Sequence, residues 1–200
     1  MKATIASLIF LLLSLAVSSQ TYKYIGIEEG LSNQKIYRIQ KDARGYMWFL
    51  THVGIDRYNG KEIKHYKLKE GDRELDPLLN INWTYLDKTG TLLVTGKQGR
   101  IFRYDSGHDR FVQIYSMYNY WNKDYHAFVR YSYIDQESNV WLCGKSAIHL
   151  FNIESGQKQR ISNRLGNITC IEQINSEHFF IGTDKSCLLY TSDAADDLLC

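Results

Sequence analysis

Five ring side chains crowd into nine residues at Tyr118, Tyr120, Trp121, Tyr125 and His126, with Asn119, Asn122 and Asp124 among them. Aromatic faces beside amide and carboxylate hydrogen-bonders are what carbohydrate recognition requires. The ring covers the apolar face of a sugar while the polar tips take its hydroxyls. The alternative is a structural connection whose rings fold back onto neighbouring elements. No arrangement elsewhere points to catalysis: there is no Gly-x-Ser-x-Gly, no glycine-rich phosphate loop and no His-Glu-x-x-His. Asp42, Asp87 and Asp135 stand at turn positions, where an aspartate caps its own backbone. Asp56 and Arg57 are adjacent on a short alternating run and read as a surface pair. Cys143, Cys170, Cys187 and Cys200 lack zinc spacing. Cys143, Cys170 and Cys187 read as small apolar strand residues and Cys200 is terminal, with Cys170 and Cys187 the pair to check for a disulfide. No metal and no cofactor are expected.

The elements that must position these residues recur. Ile36–Tyr66 holds four short apolar runs separated by Asp42-Ala43-Arg44-Gly45, His52-Val53-Gly54 and Asn59-Gly60. Asn-Gly between alternating runs is a hairpin signal, because both residues tolerate positive φ. The unit then repeats. Trp48 stands six residues after Asp42, Leu93 six after Asp87, and Trp141 six after Asp135. Phe180 takes the corresponding place in a degraded fourth copy. Anchors at 48, 93, 141 and 180 lie 45, 48 and 39 residues apart. The third runs also correspond: Ile55–Tyr58, Ile101–Tyr104, Ile148–Phe151 and Cys187–Tyr190. A four-stranded unit with this period predicts an all-β fold, a partial β-propeller of about three and a half blades. Blades are expected at about 36–66, 81–115, 129–161 and 168–190. Because they recur once per blade, Trp48, Leu93, Trp141, Phe180, Gly45, Gly54, Gly90, Tyr58, Tyr104 and Phe151 are read as structural anchors. The irregular aromatic connection is the candidate ligand contact.

Gly30-Leu31-Ser32-Asn33, then Asp42-x-x-Gly45-x-x-Trp48, then Thr51-x-x-Gly54-Ile55-x-Arg57-Tyr58-Asn59-Gly60 resembles the two-component-regulator propeller repeat. The resemblance spans roughly residues 22–190 and is strongest in the first blade. Leu93 departs from the pattern in the second, as do Ser138 and Ala147 in the third. It implies the periplasmic sensor of a hybrid two-component histidine kinase of the kind common in gut Bacteroidetes. It also implies an oligosaccharide ligand, further propeller blades, a membrane-spanning kinase in the whole protein and a homodimer. A secreted propeller enzyme of glycosidase or lyase type, or a carbohydrate-binding protein without signalling output, is the alternative.

Met1-Lys2 ahead of the apolar run Ile5–Val17, with Ala16, Ser18 and Ser19 following, reads as a signal peptide over residues 1–19. The chain is therefore expected to be exported. Net charge is +2 with both signs interspersed, which leaves no basic stripe for nucleic acid. One proline, Pro77, and abundant aromatics suit strands, and nothing after residue 20 reads as helix. Tyr22–Ile27 alternates and is expected to be an outer strand that closes a ring. Glu70–Asp76 reads as a charged, solvated connection. Residues 191–200 lack β alternation and read as an aberrant tail, so the chain is expected to be an amino-terminal fragment.

Overall fold

The computed structural model describes residues 22–117 and 128–191. The stretch read as a signal peptide, residues 192–200 and all five candidate ring residues of the 118–126 connection lie outside the described residues. Among the described residues, four antiparallel sheets of three or four strands follow one another. The first is β1 (Ile36–Lys41), β2 (Met47–Thr51), β3 (Ile55–Tyr58) and β4 (Ile63–Tyr66), paired in that order. A small hairpin, β5 (Lys69–Glu70) and β6 (Arg73–Glu74), and a single turn of helix, α1 (Pro77–Asn80), lead to the second. That sheet is β7 (Trp83–Leu86), β8 (Leu92–Thr95), β9 (Arg100–Asp105) and β10 (Arg110–Ser116). The third is β11 (Tyr131–Ile134), β12 (Asn139–Cys143), β13 (Ala147–Asn152) and β14 (Lys158–Ser162). The fourth has three strands among the described residues: β15 (Ile168–Gln173), β16 (His178–Thr183) and β17 (Cys187–Thr191). Thr191, placed in the tail by sequence, ends β17.

One aspartate sets the first turn of each complete blade. Asp42 Oδ1 accepts from the backbone N–H of Arg44 and Tyr46, while Oδ2 accepts from the Trp48 indole at 2.8 Å. Asp135 does the same work for Asn139 N–H and for the Trp141 indole, again at 2.8 Å. In the second blade Leu93 has no N–H to give, and the freed Asp87 oxygen is taken by Arg103 at 2.6 Å. Arg103 is the residue directly opposite Leu93 in the β8–β9 ladder. Burial works against the Asp87 charge, yet the Thr89 and Thr91 hydrogen bonds and Arg103 hold its carboxyl below the usual range. The fourth position of each turn needs a left-handed backbone: Gly45 has φ 86° and Gly90 φ 73°. Ser138 adopts φ 71° without being glycine, and its hydroxyl donates to Glu154.

Faces that one sheet cannot bury are buried between sheets. Trp48, Leu50 and Tyr66 of blade one meet Val94, Phe102 and Tyr104 of blade two. The Trp48 and Tyr104 ring centroids lie 4.7 Å apart in an edge contact, a geometry worth about 0.5–1.5 kcal/mol beyond burial. Ile101 and Tyr115, from the opposite face of blade two, meet Val140, Leu142 and Phe151. Trp141 then meets Phe179 and Tyr190 of blade four. Blades two and three thus each fill half of two cores. The outer face of blade one is covered instead by the segment before β1. There the Ser32 N–H and hydroxyl donate to Asp56, and the Ser32 and Thr51 hydroxyls are bonded.

Several sequence expectations need correction. Tyr22–Ile27 forms no strand, and Tyr22 and Tyr24 are exposed, because no described strand lies alongside to pair with it. Among the described residues a short helix does exist at Pro77–Asn80. Asp76 caps it by accepting from Leu78 N–H, and Pro77 sits at its start, where no N–H is needed. Asn59-Gly60 is not a two-residue turn: Tyr58 pairs with Ile63, so four residues form the loop, with the Asn59 side chain accepting from Lys61 and Glu62 N–H. Asp56 and Arg57 are not a surface pair. Asp56 is wholly buried beneath Ser32 and His65, while Arg57 points to the other face, into blade two. Cys143 is buried, whereas Cys170 and Cys187 are exposed, and these three are free thiols.

Candidate functional site

Antiparallel pairing brings the β4–β7, β8–β9 and β10–β11 connections to the same end of their sheets. The last of these is the aromatic stretch singled out by sequence. Although residues 118–127 lie outside the described residues, both stems of the connection are fixed. Met117 N–H donates to the Gly99 carbonyl and Val129 N–H to the Lys97 carbonyl, so the β8–β9 turn holds both ends. Between those two, Gln98 N–H donates to Leu79 of α1. Gly96 makes this docking possible, since a Cβ there would sit 2.3 Å from the Asn80 backbone.

Beside these stems a cleft of about 470 Å³ opens, lined by Glu70, Arg73, Glu74, Leu75, Asp76, Gln98 and Arg100. Arg100 is its organising group. The Arg100 side chain is 7% exposed, and its guanidinium donates to Gln98, to Asn80 and to Glu70. Glu70 is shared with Arg73 at 2.7 Å, and Lys67 pairs with Glu74. The charged connection is therefore a folded wall of a polar cleft rather than a solvated strap. Carboxylates, an amide and two guanidiniums converge there, a donor set suited to a neutral, hydroxyl-rich ligand and without a nucleophile–base pair. Sequence reasoning missed this cleft, because Arg100 and Glu70 lie thirty residues apart and neither belongs to a recurring position.

A second charged cluster lies between blades one and two and is closed upon itself. Asp109 accepts from Arg57 at 2.9 Å, Tyr66 at 2.6 Å, Tyr104 at 2.5 Å, and Lys64. Arg57 also donates to the Tyr104 hydroxyl and lies over the Tyr46 and Trp48 rings. Burial opposes the Asp109 charge, but the hydrogen bonds from Lys64, Tyr104 and Tyr66, with the Arg57 charge, hold its carboxyl well below the ordinary range. Burial, and then donation to Asp109, pushes the Tyr66 phenol far up. Every member already has its partner, so the cluster joins two blades.

The recurring positions fall where packing needs them. Trp48, Leu93 and Trp141 are buried, as are Tyr104 and Phe151, and Tyr58 is half-buried with its hydroxyl on the Gly60 carbonyl. Phe180 is the exception. It keeps the register of an anchor, opposite Glu172 and Leu189, yet is 48% exposed, because its face of blade four has no neighbour among the described residues. Phe179, on the other face, fills the core instead. Among the described residues no group of three or more His, Cys, Asp or Glu could hold a metal. No helix among them is long and apolar enough to cross a membrane.

Residues 30–52 match the two component regulator propeller family. The fold is similar to the extracellular domains of two hybrid two component systems of B. thetaiotaomicron. One gives a TM-score of 0.65 at 16% identity over 86% of this chain and 25% of that one. The other gives 0.65 at 17% identity over 90% of this chain and 23% of that one. The WD40 β-propeller domain of Doa1 is similar at a TM-score of 0.54 and 10% identity, over 77% of this chain and 49% of that one. The chain thus spans about a quarter of the length of the two extracellular domains. No curated protein sequence matches it.

Proposed function

From a two-component-regulator propeller repeat at residues 30–52, set in successive propeller blades, we propose that the chain is part of the exported sensing region of a hybrid two-component system. In this reading it is a non-enzymatic domain on the periplasmic side of the inner membrane. A glycan fragment binds it and biases a membrane-anchored, dimeric kinase and its phosphorelay towards one of two states. That bias can be no larger than the ligand's difference in affinity for the two. One observation carries the placement of the ligand. Both stems of the aromatic connection are pinned to the β8–β9 turn, beside the polar cleft built on Arg100. Rings carried by a connection on a rigid scaffold, next to converging hydrogen-bonders, form the common geometry of a sugar site.

The test is Trp121→Ala, measured by titration calorimetry against an oligosaccharide panel with a parallel thermal melt. Loss of one aromatic anchor is expected to weaken binding by about 1–3 kcal/mol while leaving the melt nearly unchanged. Unchanged affinity with a lowered melt would make the connection structural and move the ligand elsewhere. Release of reducing ends from the same panel would favour the secreted-enzyme reading.

A further inference from the structure

β4 is the outermost strand of blade one, and among the described residues no strand pairs with its far edge. The same holds for β10 and β14, so an open outer edge is a property of each complete blade. Which main-chain groups face outward on β4 follows from its pairing. Asn59 N–H donates to the Glu62 carbonyl, just before Tyr58 meets Ile63. Bonded and non-bonded pairs alternate along an antiparallel ladder, so β3 bonds Lys64 and Tyr66 and leaves Ile63 and His65. Those two residues turn their N–H and C=O groups outward, about 6.8 Å apart.

The side chains of Lys64 and Tyr66 point towards blade two, where Lys64 meets Asp109 and Tyr66 packs against Phe111. A groove of about 620 Å³ runs here between β4, β5 and β10, with Tyr66 and Phe111 in its lining. Its charges are unequal: Lys64, Lys67, Lys69 and Arg110 stand against Glu70 and Asp109. Both carboxylates are already shared, Asp109 by Arg57 and Lys64, Glu70 by Arg73 and Arg100. Lys67 is held by Glu74. Lys69 and Arg110 are exposed, and neither makes an ion pair among the described residues. The acids of the groove are thus saturated while two of its cations are free. We propose that the groove receives an extended acidic peptide, added as a fifth strand on β4. Such a strand bonds Ile63 and His65 through its main chain and turns every second side chain to the side where Lys64, Lys69 and Arg110 supply positive charge. A two-residue main-chain repeat of donors and acceptors fits a peptide and not a sugar chain, so this site is independent of the cleft built on Arg100.

The experiment titrates the full chain against a fluorescein-labelled Val-Glu-Val-Glu-Val-Glu peptide, read by anisotropy. One peptide per chain is expected, with affinity falling as salt rises. The Lys69→Glu/Arg110→Glu double variant should lose about tenfold or more in affinity at unchanged far-UV circular dichroism, because like charges then face each other. The peptide is also made N-methylated at every valine, and separately at every glutamate. Both forms keep the charge, but each loses the N–H groups along one edge. One of the two should bind about tenfold more weakly, since only one edge of an added strand faces β4. Two methylated forms that bind as tightly as the parent would overturn strand addition, and unchanged affinity in the double variant would overturn the groove. Equal binding of tetragalacturonate or of phosphatidylglycerol vesicles, abolished by the same double variant, would make the groove a general anion site and overturn the peptide assignment.

Discussion

Removing the Trp48 ring tests the packing logic most directly. The side chain is fully buried and touches Tyr66, Tyr104 and Phe111, at centroid separations of 5.5, 4.7 and 5.6 Å. Truncating a buried tryptophan to alanine costs about 3–5 kcal/mol through lost transfer energy and the cavity left behind. It also deprives Asp42 Oδ2 of its indole donor, and an acceptor left unsatisfied on a buried residue costs about 1–3 kcal/mol. Asp42 keeps its two backbone donors on the other oxygen, so the second contribution falls at the low end. Trp48→Ala should therefore cost about 4–6 kcal/mol, and Trp48→Phe, which keeps a ring and loses the N–H, about 1–2 kcal/mol. Urea unfolding followed by far-UV circular dichroism separates the two as midpoint shifts at constant slope. A Trp48→Ala cost under about 1 kcal/mol would refute the role of the ring in joining blades. Equal costs for the two variants would instead mean that the hydrogen bond, not the ring, carries the effect.

Asp109→Asn should destabilise the chain at pH 7 and lose that difference in acid. The folded carboxyl lies below its unfolded value, so its contribution is present above about pH 4 and disappears as pH falls through the folded value. Urea midpoints of both proteins at pH 7 and pH 3 check this, and a gap that stays constant contradicts the ion-pair assignment. Gly90→Ala should cost about 1–3 kcal/mol, because φ is +73° and the new Cβ would meet that of Ala43 at 2.3 Å. A thermal melt reads it; an unshifted Tm would show that the two blades can part at this turn without loss.

The blades were legible because their signals are local. The Asp-x-x-Gly turns and the alternation of short apolar runs each rest on residues within a few positions of one another. What lay beyond view depends on neighbours far along the chain. Arg57 reads as an outward charge until Asp109 and the blade-two rings arrive to receive it. Phe180 reads as an anchor because its ladder position is right, but burial is granted by the next sheet and not by the strand. Glu70–Asp76 reads as solvated because its partner, Arg100, lies in another blade. The aromatic connection was visible as composition alone; where its stems attach is a property of the β8–β9 turn.

The Asp42–Trp48 bond also bears on the order in which the chain can assemble. Its ends are six residues apart, whereas Trp48 must wait for Tyr104, 56 residues further on, to complete the contact on its ring face. Loop closure grows with the logarithm of length, so the second contact costs about 2 kcal/mol more chain entropy than the first. A nascent blade can thus set its own turn, and hold the indole on the face of the sheet, before the blade that will cover it has been synthesised. The ring then waits as a preformed knob. Docking can then proceed from the amino end, one sheet at a time, with each new blade meeting a surface that its predecessor has already ordered.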